Sequence, residues 1–354
     1  MTGTSVDTDV APERLPAPPG ERRRGSSRAL SLSGIAERYG LLLLLVAMTL
    51  VFASLPASGE AFRSTANIQA VLASQAVGLT VALALLFPMA AGSFDFSVGA
   101  VTATSSVVAA ASVSHFGLPL PLALVLATAS GALVGSVLGI LVARYAMNPF
   151  IATLGMATLL GGAVFAYTNG LQISKDIPAT LTDLGSLSWF GVPLIVLAAA
   201  LIAVVVWFVM SHTPLGRHLF AVGSNASAAR LVGLDVARVR FLSFALSGLV
   251  SGVAGVLLLA RQGAATSDNG MNMLFPALTA VFLSTIVIDV GRPSVLGTVI
   301  GVLFVAVSIS GLTLVGAPAW VSQVFNGAAL LVAVGVAGIS RARRGAGSAG
   351  LART

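Results

Sequence analysis

Apolar residues in this chain fall into ten long stretches separated by short polar breaks, with no alternation of the kind that marks strands. A bilayer core about 30 Å thick calls for roughly 17 to 25 apolar residues per crossing helix. On that ruler the pattern predicts spans at 39–55, 67–87, 98–113, 120–143, 149–168, 192–211, 241–260, 273–290, 295–312 and 320–338. The first stretch has the look of a signal anchor, but nine more follow it, so it reads as a first transmembrane helix. The 98–113 stretch is short, and residues 88–97 interrupt one apolar run from 67 to 113, which leaves a broken or re-entrant segment open there. Residues 1–38 and 341–354 are basic, without apolar periodicity, and read as disordered tails flanking a membrane domain at 39–340. The expected fold is all-α: a polytopic membrane helix bundle of about ten transmembrane helices.

Composition narrows the function. Hydrophobic residues make up 56% of the 354 and charged residues only 9%, against about 25% charged in ordinary soluble domains, and mean hydropathy is +0.98. So few charges cannot cover a water-soluble surface of this size, which excludes a soluble enzyme. The net charge of +7 invites a nucleic-acid reading, yet the basic residues are not gathered into a domain with aromatic platforms, so no nucleic acid is expected as partner. They report topology instead. With the N-terminus in the cytoplasm, sixteen of the nineteen basic residues fall inside, and only Arg63, Lys175 and Arg261 fall outside. Ten spans with both termini cytoplasmic follow from that asymmetry. Cysteine is absent, which removes disulfides and thiolate metal sites. The one lysine, Lys175, stands in Ser-Lys-Asp and cannot belong to a P-loop, so the chain by itself is no ATPase.

Helix packing leaves a trace as small residues four apart, which let backbones approach where lipid gives no hydrophobic drive. Gly131, Gly135 and Gly139 form such a ladder, and Gly248 with Gly252 and Gly297 with Gly301 form pairs. Glycine is common here, 38 of 354, so a single pair can arise by chance; the triple ladder is the stronger sign.

One long polar segment, 211–239, interrupts the apolar pattern. Asn225 is a good helix N-cap, residues 226–232 are helix formers, and Gly233 is a natural stop. A two-turn helix outside the membrane is expected, carrying Arg230 on one side and Ala228, Ala229 and Leu231 for close packing. That equips it for docking rather than catalysis; the alternative is an ordinary solvated loop.

The residues Gly223, Asn225, Ala228, Ala229, Arg230, Leu231 and Gly233, with Thr213, Gly216 and Arg217 upstream, resemble the cytoplasmic coupling loop of the ribose-type permeases of bacterial ABC sugar importers. Gly92-Ser-Phe-Asp-Phe-Ser-Val-Gly99 is similar to that family's Gly-Gly-Ile-Asp-Leu-Ser-Val-Gly signature, with Gly92, Asp95, Ser97, Val98 and Gly99 matching. Pro149 to Gly155, Thr168-Asn169-Gly170, and the Gly297-Thr298 and Gly301 helix extend the resemblance over roughly 67–338. Ser93 departs from the signature's second glycine, and 283–293 departs where many relatives carry a double glycine. The resemblance implies a permease subunit in the bacterial inner membrane, working beside a second permease subunit. Its other expected partners are a separate ABC ATPase subunit, which binds the ATP, an extracytoplasmic solute-binding protein, and membrane lipid. It implies no cofactor of the chain's own, no catalysis and no metal. It further implies that 225–233 seats in a groove of the ATPase, and that the solute is a monosaccharide or similar small polar molecule. An ion- or proton-coupled secondary transporter is the alternative, with intramembrane acids carrying the coupling.

Asp95 and Asp289 are the acids closest to apolar spans, where ionisable groups are functional candidates by default. For Asp95 two readings stand: a substrate-path or gating group, or a cap on the N-terminus of the 98–113 helix. Asp289 reads as a local ion pair with Arg292 or a transport group. Phe94 and Phe96 offer ring faces to a sugar or ordinary packing, and Ser97 and Asn169 complete the candidate pathway. His115, His212 and His218 have no metal-ligand spacing.

Overall fold

The computed structural model describes residues 32–266, 271–287 and 291–351, with side chains over 39–266, 272–287 and 291–336. Fourteen α-helices and one small hairpin make up these residues. In chain order they begin with α1 (Leu32–Ser54), the short α2 (Gly59–Arg63), α3 (Thr65–Ala90), α4 (Val98–Ser114), α5 (Leu120–Ala143) and α6 (Pro149–Thr168). A segment with α7 (Ala179–Ser186) and the antiparallel strands β1 (Ser188–Trp189) and β2 (Val192–Pro193) leads to α8 (Leu194–His212). Then come α9 (Pro214–Ser224), α10 (Ala226–Leu231), α11 (Val236–Gln262), a 3-10 turn at Met271–Met273, α12 (Leu274–Ser284), α13 (Val295–Leu314) and α14 (Ala319–Leu351).

Seven helices are long and apolar enough to cross a membrane: α3, α5, α6, α8, α11, α13 and the 319–336 part of α14. Shorter apolar helices stand at the three remaining stretches: the 39–54 part of α1, α4, and α12, which covers only 274–284 of the span expected at 273–290. The protein is thus a polytopic helical membrane protein. Helix extends further at both ends than the polar composition of the tails suggested, from Leu32 and on to Leu351.

The bundle is built around α3 and α11, of whose apolar windows 61% and 72% is buried, against 28% for α6 and α8. The most extensive neighbours of α11 are α5, α4 and α3, with α7 and α9 packing on it as well. The glycine ladders explain the closeness: a Cβ added at Gly248 would lie 2.7 Å from the Cα of Gly135 and would also meet the Gly131 carbonyl. Gly131 in turn faces Gly252, and Gly139 faces Phe241, so α5 and α11 run antiparallel with their glycines interdigitated. Likewise Gly297 lies on Ser284 and Gly301 on Ala280, which joins α13 to α12. On the outside α5, α6 and α8 turn large apolar side chains away from the bundle, among them Leu133, Ile151 and Leu201, as a lipid-facing surface requires.

The expected interruption near Pro88 is present but displaced. Helix α3 runs through Pro88 to Ala90, and the chain turns at Gly92, whose φ of +77° suits glycine. The Ser93 N–H closes the turn on the Pro88 carbonyl at 2.8 Å. Residues 91–97 then return along the bundle, because Asp95 meets Ser247 while Thr102 and Ser105 meet Gly255 further along α11. Helix α4 therefore starts beside the middle of α11 and runs parallel to it.

Candidate functional site

The polar segment after α8 folds into two helices. Thr213 caps α9, accepting from Gly216 N–H at 3.4 Å, with Pro214 at the first helical position. This helix lay outside the sequence reading, although a threonine followed by proline is a recognisable start signal. Leu219 and Val222 are buried beneath it, while Arg217 is exposed. At its end Gly223 is pressed against the Ala90 carbonyl, and a Cβ there would come within 2.9 Å of the Gly92 nitrogen. Two glycines thus bring α9 onto the turn that opens the 91–97 stretch.

The second helix, α10, matches its expected form. Asn225 Oδ1 accepts from Ser227 and Ala228 N–H, both at 3.0 Å. Gly233 ends the turn at φ +85°, its N–H donating to the Arg230 carbonyl at 3.0 Å. Its faces differ from the expected grouping. Ala229 is 4% exposed and packs inward, whereas Leu231 and Val232 are 89% and 77% exposed. Ala228 and Arg230 are exposed beside them. A side chain at 229 therefore seats α10 on its own chain, and the outward surface is the apolar tip at 231–232 between Arg230 and the turn.

Beyond the Gly223–Gly92 contact lies the 91–97 stretch. Its residues alternate: Ser93, Asp95 and Ser97 are buried, Phe94 is exposed and Phe96 half-buried. Asp95 Oδ1 accepts from the Ser97 N–H at 2.9 Å and from the Ser97 hydroxyl at 2.5 Å, and Oδ2 accepts from the Ser247 hydroxyl at 2.8 Å. Ser97 is the residue that precedes α4, and it makes no side-chain cap bond of its own. The carboxyl group thus holds the entry to α4 and ties it across to α11; it does not reach the N–H groups of the first turn, as a true cap would. Ser247, the cross-helix partner, was not foreseen, since nothing local distinguishes it from the other serines of α11.

The aromatic pair splits between two neighbours. Phe94 stacks on Phe282 of α12 with centroids 5.6 Å apart, and Phe96 meets Phe150 of α6 edge-on at 5.1 Å. Phe94 also borders a cavity of about 410 Å³ shared with Gly92, Phe220, Gly223 and Arg292, whose guanidinium lies 5.8 Å over the Phe220 ring. Asn169 is not part of this group. It ends α6 in the left-handed region (φ +50°), at the opposite terminus from Phe150, and twenty helical residues separate the two by about 30 Å. His115, bonded to Tyr167 at 2.7 Å, is at that far end too. Asp289 lies outside the described residues. No group of three or more His, Cys, Asp or Glu that could hold a metal occurs among the described residues.

The bundle is polytopic, and its α9 packs through Gly223 and Gly92 onto the stretch that carries the buried Asp95. The family model for the branched-chain amino acid transport system permease component matches residues 67–334. The ribose import permease protein RbsC of Haemophilus influenzae is 29% identical over 292 residues, 82% of this chain and 90% of that protein. RbsC of Escherichia coli K12 is 29% identical over 313 residues, covering 87% and 95%. The autoinducer 2 import system permease protein LsrD of Photorhabdus laumondii is 30% identical over 306 residues, covering 85% and 92%. No solved structure matches the chain. The chain belongs to this permease family, with the ribose-type permeases of bacterial ABC sugar importers. It is a multi-pass transport protein of the bacterial inner membrane, and its relatives are transporters rather than enzymes. Family membership implies, in general, an ATPase and a solute-binding protein as partners.

Proposed function

We propose that this chain forms the translocation pathway of an ATP-driven importer for a monosaccharide or a sugar-like small polar solute. ATP is bound by a separate subunit that docks on α9 and α10, and a second permease subunit, a copy of this chain, completes the membrane assembly. Ten spans with both termini in the cytoplasm fit the distribution of basic residues, and place α9 and α10 on the cytoplasmic side. The relatives named for ribose and autoinducer 2 import support the solute class.

The observation that carries the reading is the exposed tip of α10. Leu231 and Val232 stand almost fully clear of their own chain, on a helix fixed by a cap and a glycine stop, and large exposed apolar groups held rigidly mark an interaction site. Behind that tip, α9 reaches the Asp95 stretch through Gly223 and Gly92, so a push on the tip has a packed route into the bundle. Arg217, Asn225, Arg230 and Gly233 shape or flank the surface; Ala229 anchors it.

Replacing Leu231 by aspartate tests this. Burying leucine is worth about 1.5–3 kcal/mol, so recruitment of the co-expressed ATPase subunit should weaken about 10- to 100-fold, more if the charge is trapped without a partner. Membrane insertion is unaffected, because the position lies outside every apolar span. Co-purification of the ATPase at wild-type level with the Leu231→Asp chain would show that the tip is not the docking surface.

A further inference from the structure

A second cavity, of about 270 Å³, opens between α3 and α13, away from the Asp95 stretch. On α3 its wall includes Asn67, Ser74 and Gln75, which share one helical face. On α13 it includes Ser310 and Thr313. Ser310 donates to Asn67 Oδ1 at 3.2 Å, and Asn67 Nδ2 donates to the Phe62 carbonyl at 2.9 Å. Asn67 is therefore committed to holding the two helices in register. The Thr313 hydroxyl is turned to the Ile309 carbonyl at 2.8 Å. Ser74 is exposed and Gln75 half-buried, and the Gln75 carboxamide has no hydrogen bond with another described residue.

The Gln75 carboxamide and the exposed Ser74 hydroxyl, on the face of a span, are poorly placed against acyl chains, where an unmatched polar group costs several kcal/mol. Elsewhere on the bundle, the outward faces of α5, α6 and α8 obey that rule with Leu133, Ile151 and Leu201. The α3–α13 face departs from it at Ser74 and Gln75, as the wall of an aqueous route would. Every side chain of the wall is uncharged, which gives an ion no compensation for its lost hydration. A carboxamide both donates and accepts, as do hydroxyls, and this is the complement of a molecule carrying several hydroxyl groups.

We infer that the α3–α13 cavity is a contact site for the transported solute, with Gln75 and Ser74 as its recognition groups and Asn67 and Ser310 as positioning residues, and that its ligand is a neutral polyhydroxylated molecule. This inference rests on the proposed import function and adds to it the site at which the solute is met.

The natural chain has no cysteine, so it is its own background for single-cysteine labelling. In cells carrying the complete importer, Gln75→Cys and Ser310→Cys should react with a charged, membrane-impermeant thiol reagent about tenfold or more faster than Leu133→Cys, since reaction needs a hydrated thiolate. Ribose or another neutral monosaccharide should slow that labelling. Gln75→Ala should raise the KM for uptake of the protecting sugar about five- to tenfold, the effect of one hydrogen bond. Uptake by the wild type together with labelling no faster than at Leu133→Cys overturns the site while leaving the import function standing. Fast labelling with neither protection nor wild-type uptake for any neutral monosaccharide tested overturns the polyol assignment and the sugar-import reading together.

Discussion

Replacing Gly248 by valine should abolish accumulation of the folded chain. The Cβ would stand 2.7 Å from the Gly135 Cα and 2.8 Å from its nitrogen. These are backbone atoms of a continuous helix, so no rotamer change relieves the overlap. The two helices must part, and α11 cannot move alone because it also carries α3 and α4. Overpacking usually costs about 1–3 kcal/mol; a clash with backbone at the centre of the bundle belongs at the top of that range or above it. Gly162→Val is the control, since nothing lies within 4 Å of a Cβ at Gly162. Yield of monodisperse protein after detergent extraction checks the pair: near-complete loss for Gly248→Val and little change for Gly162→Val. Equal yields would mean that α5 and α11 do not meet through their glycines.

That interface shows what the sequence could and could not reveal. The spacing of Gly131, Gly135 and Gly139 announced a close-packed face, because four-residue periodicity is a local property. Which helix fills it is not local, and only the structure pairs it with Gly248 and Gly252. The spans were legible for the same reason, hydropathy being additive along the chain, and a helix stands at each apolar stretch, although α12 covers only 274–284 of the expected 273–290. Boundaries were less so. Pro88 looked like the break, yet proline is tolerated inside a membrane helix, and the chain leaves α3 only at Gly92, where the backbone turns left-handed. On α10 the cap and stop were written in Asn225 and Gly233, but a helix of six residues is too short to show its buried face by periodicity, so Ala229 and Leu231 could not be told apart. Asn169 was grouped with Asp95 by motif resemblance, which carries order along the chain but no distance. Gln75 and Ser310 escaped notice because single polar residues in two separate spans form a pattern only once the spans are side by side.

The Asp95 series separates a positioning role from a charge used in transport. Its carboxyl group receives three hydrogen bonds, two from Ser97 and one from Ser247, in a site only 2% exposed. In Asp95→Ala all three donors lose their acceptor. The Ser247 hydroxyl can turn to a carbonyl of its own helix, but the Ser97 N–H has no such choice, and an unmatched buried donor costs about 1–3 kcal/mol. The entry to α4 also loses its tie to α11, so Asp95→Ala should be poorly expressed or unstable. Asp95→Asn keeps Oδ1 for both Ser97 bonds, and its amide can donate to Ser247, whose hydroxyl turns to accept. The cost is the weaker strength of neutral bonds relative to charge-assisted ones, about 1 kcal/mol. Asp95→Ser, with a shorter side chain, cannot span Ser97 and Ser247 together and should fall between the two. Uptake normalised to the amount of protein in the membrane is the deciding measurement. The order Asn above Ser above Ala, with Asn retaining most uptake, follows from the bonding. A well-expressed Asn variant without uptake would mean instead that the negative charge itself acts in the transport cycle, and that the bonds to Ser97 and Ser247 serve to hold that charge in place.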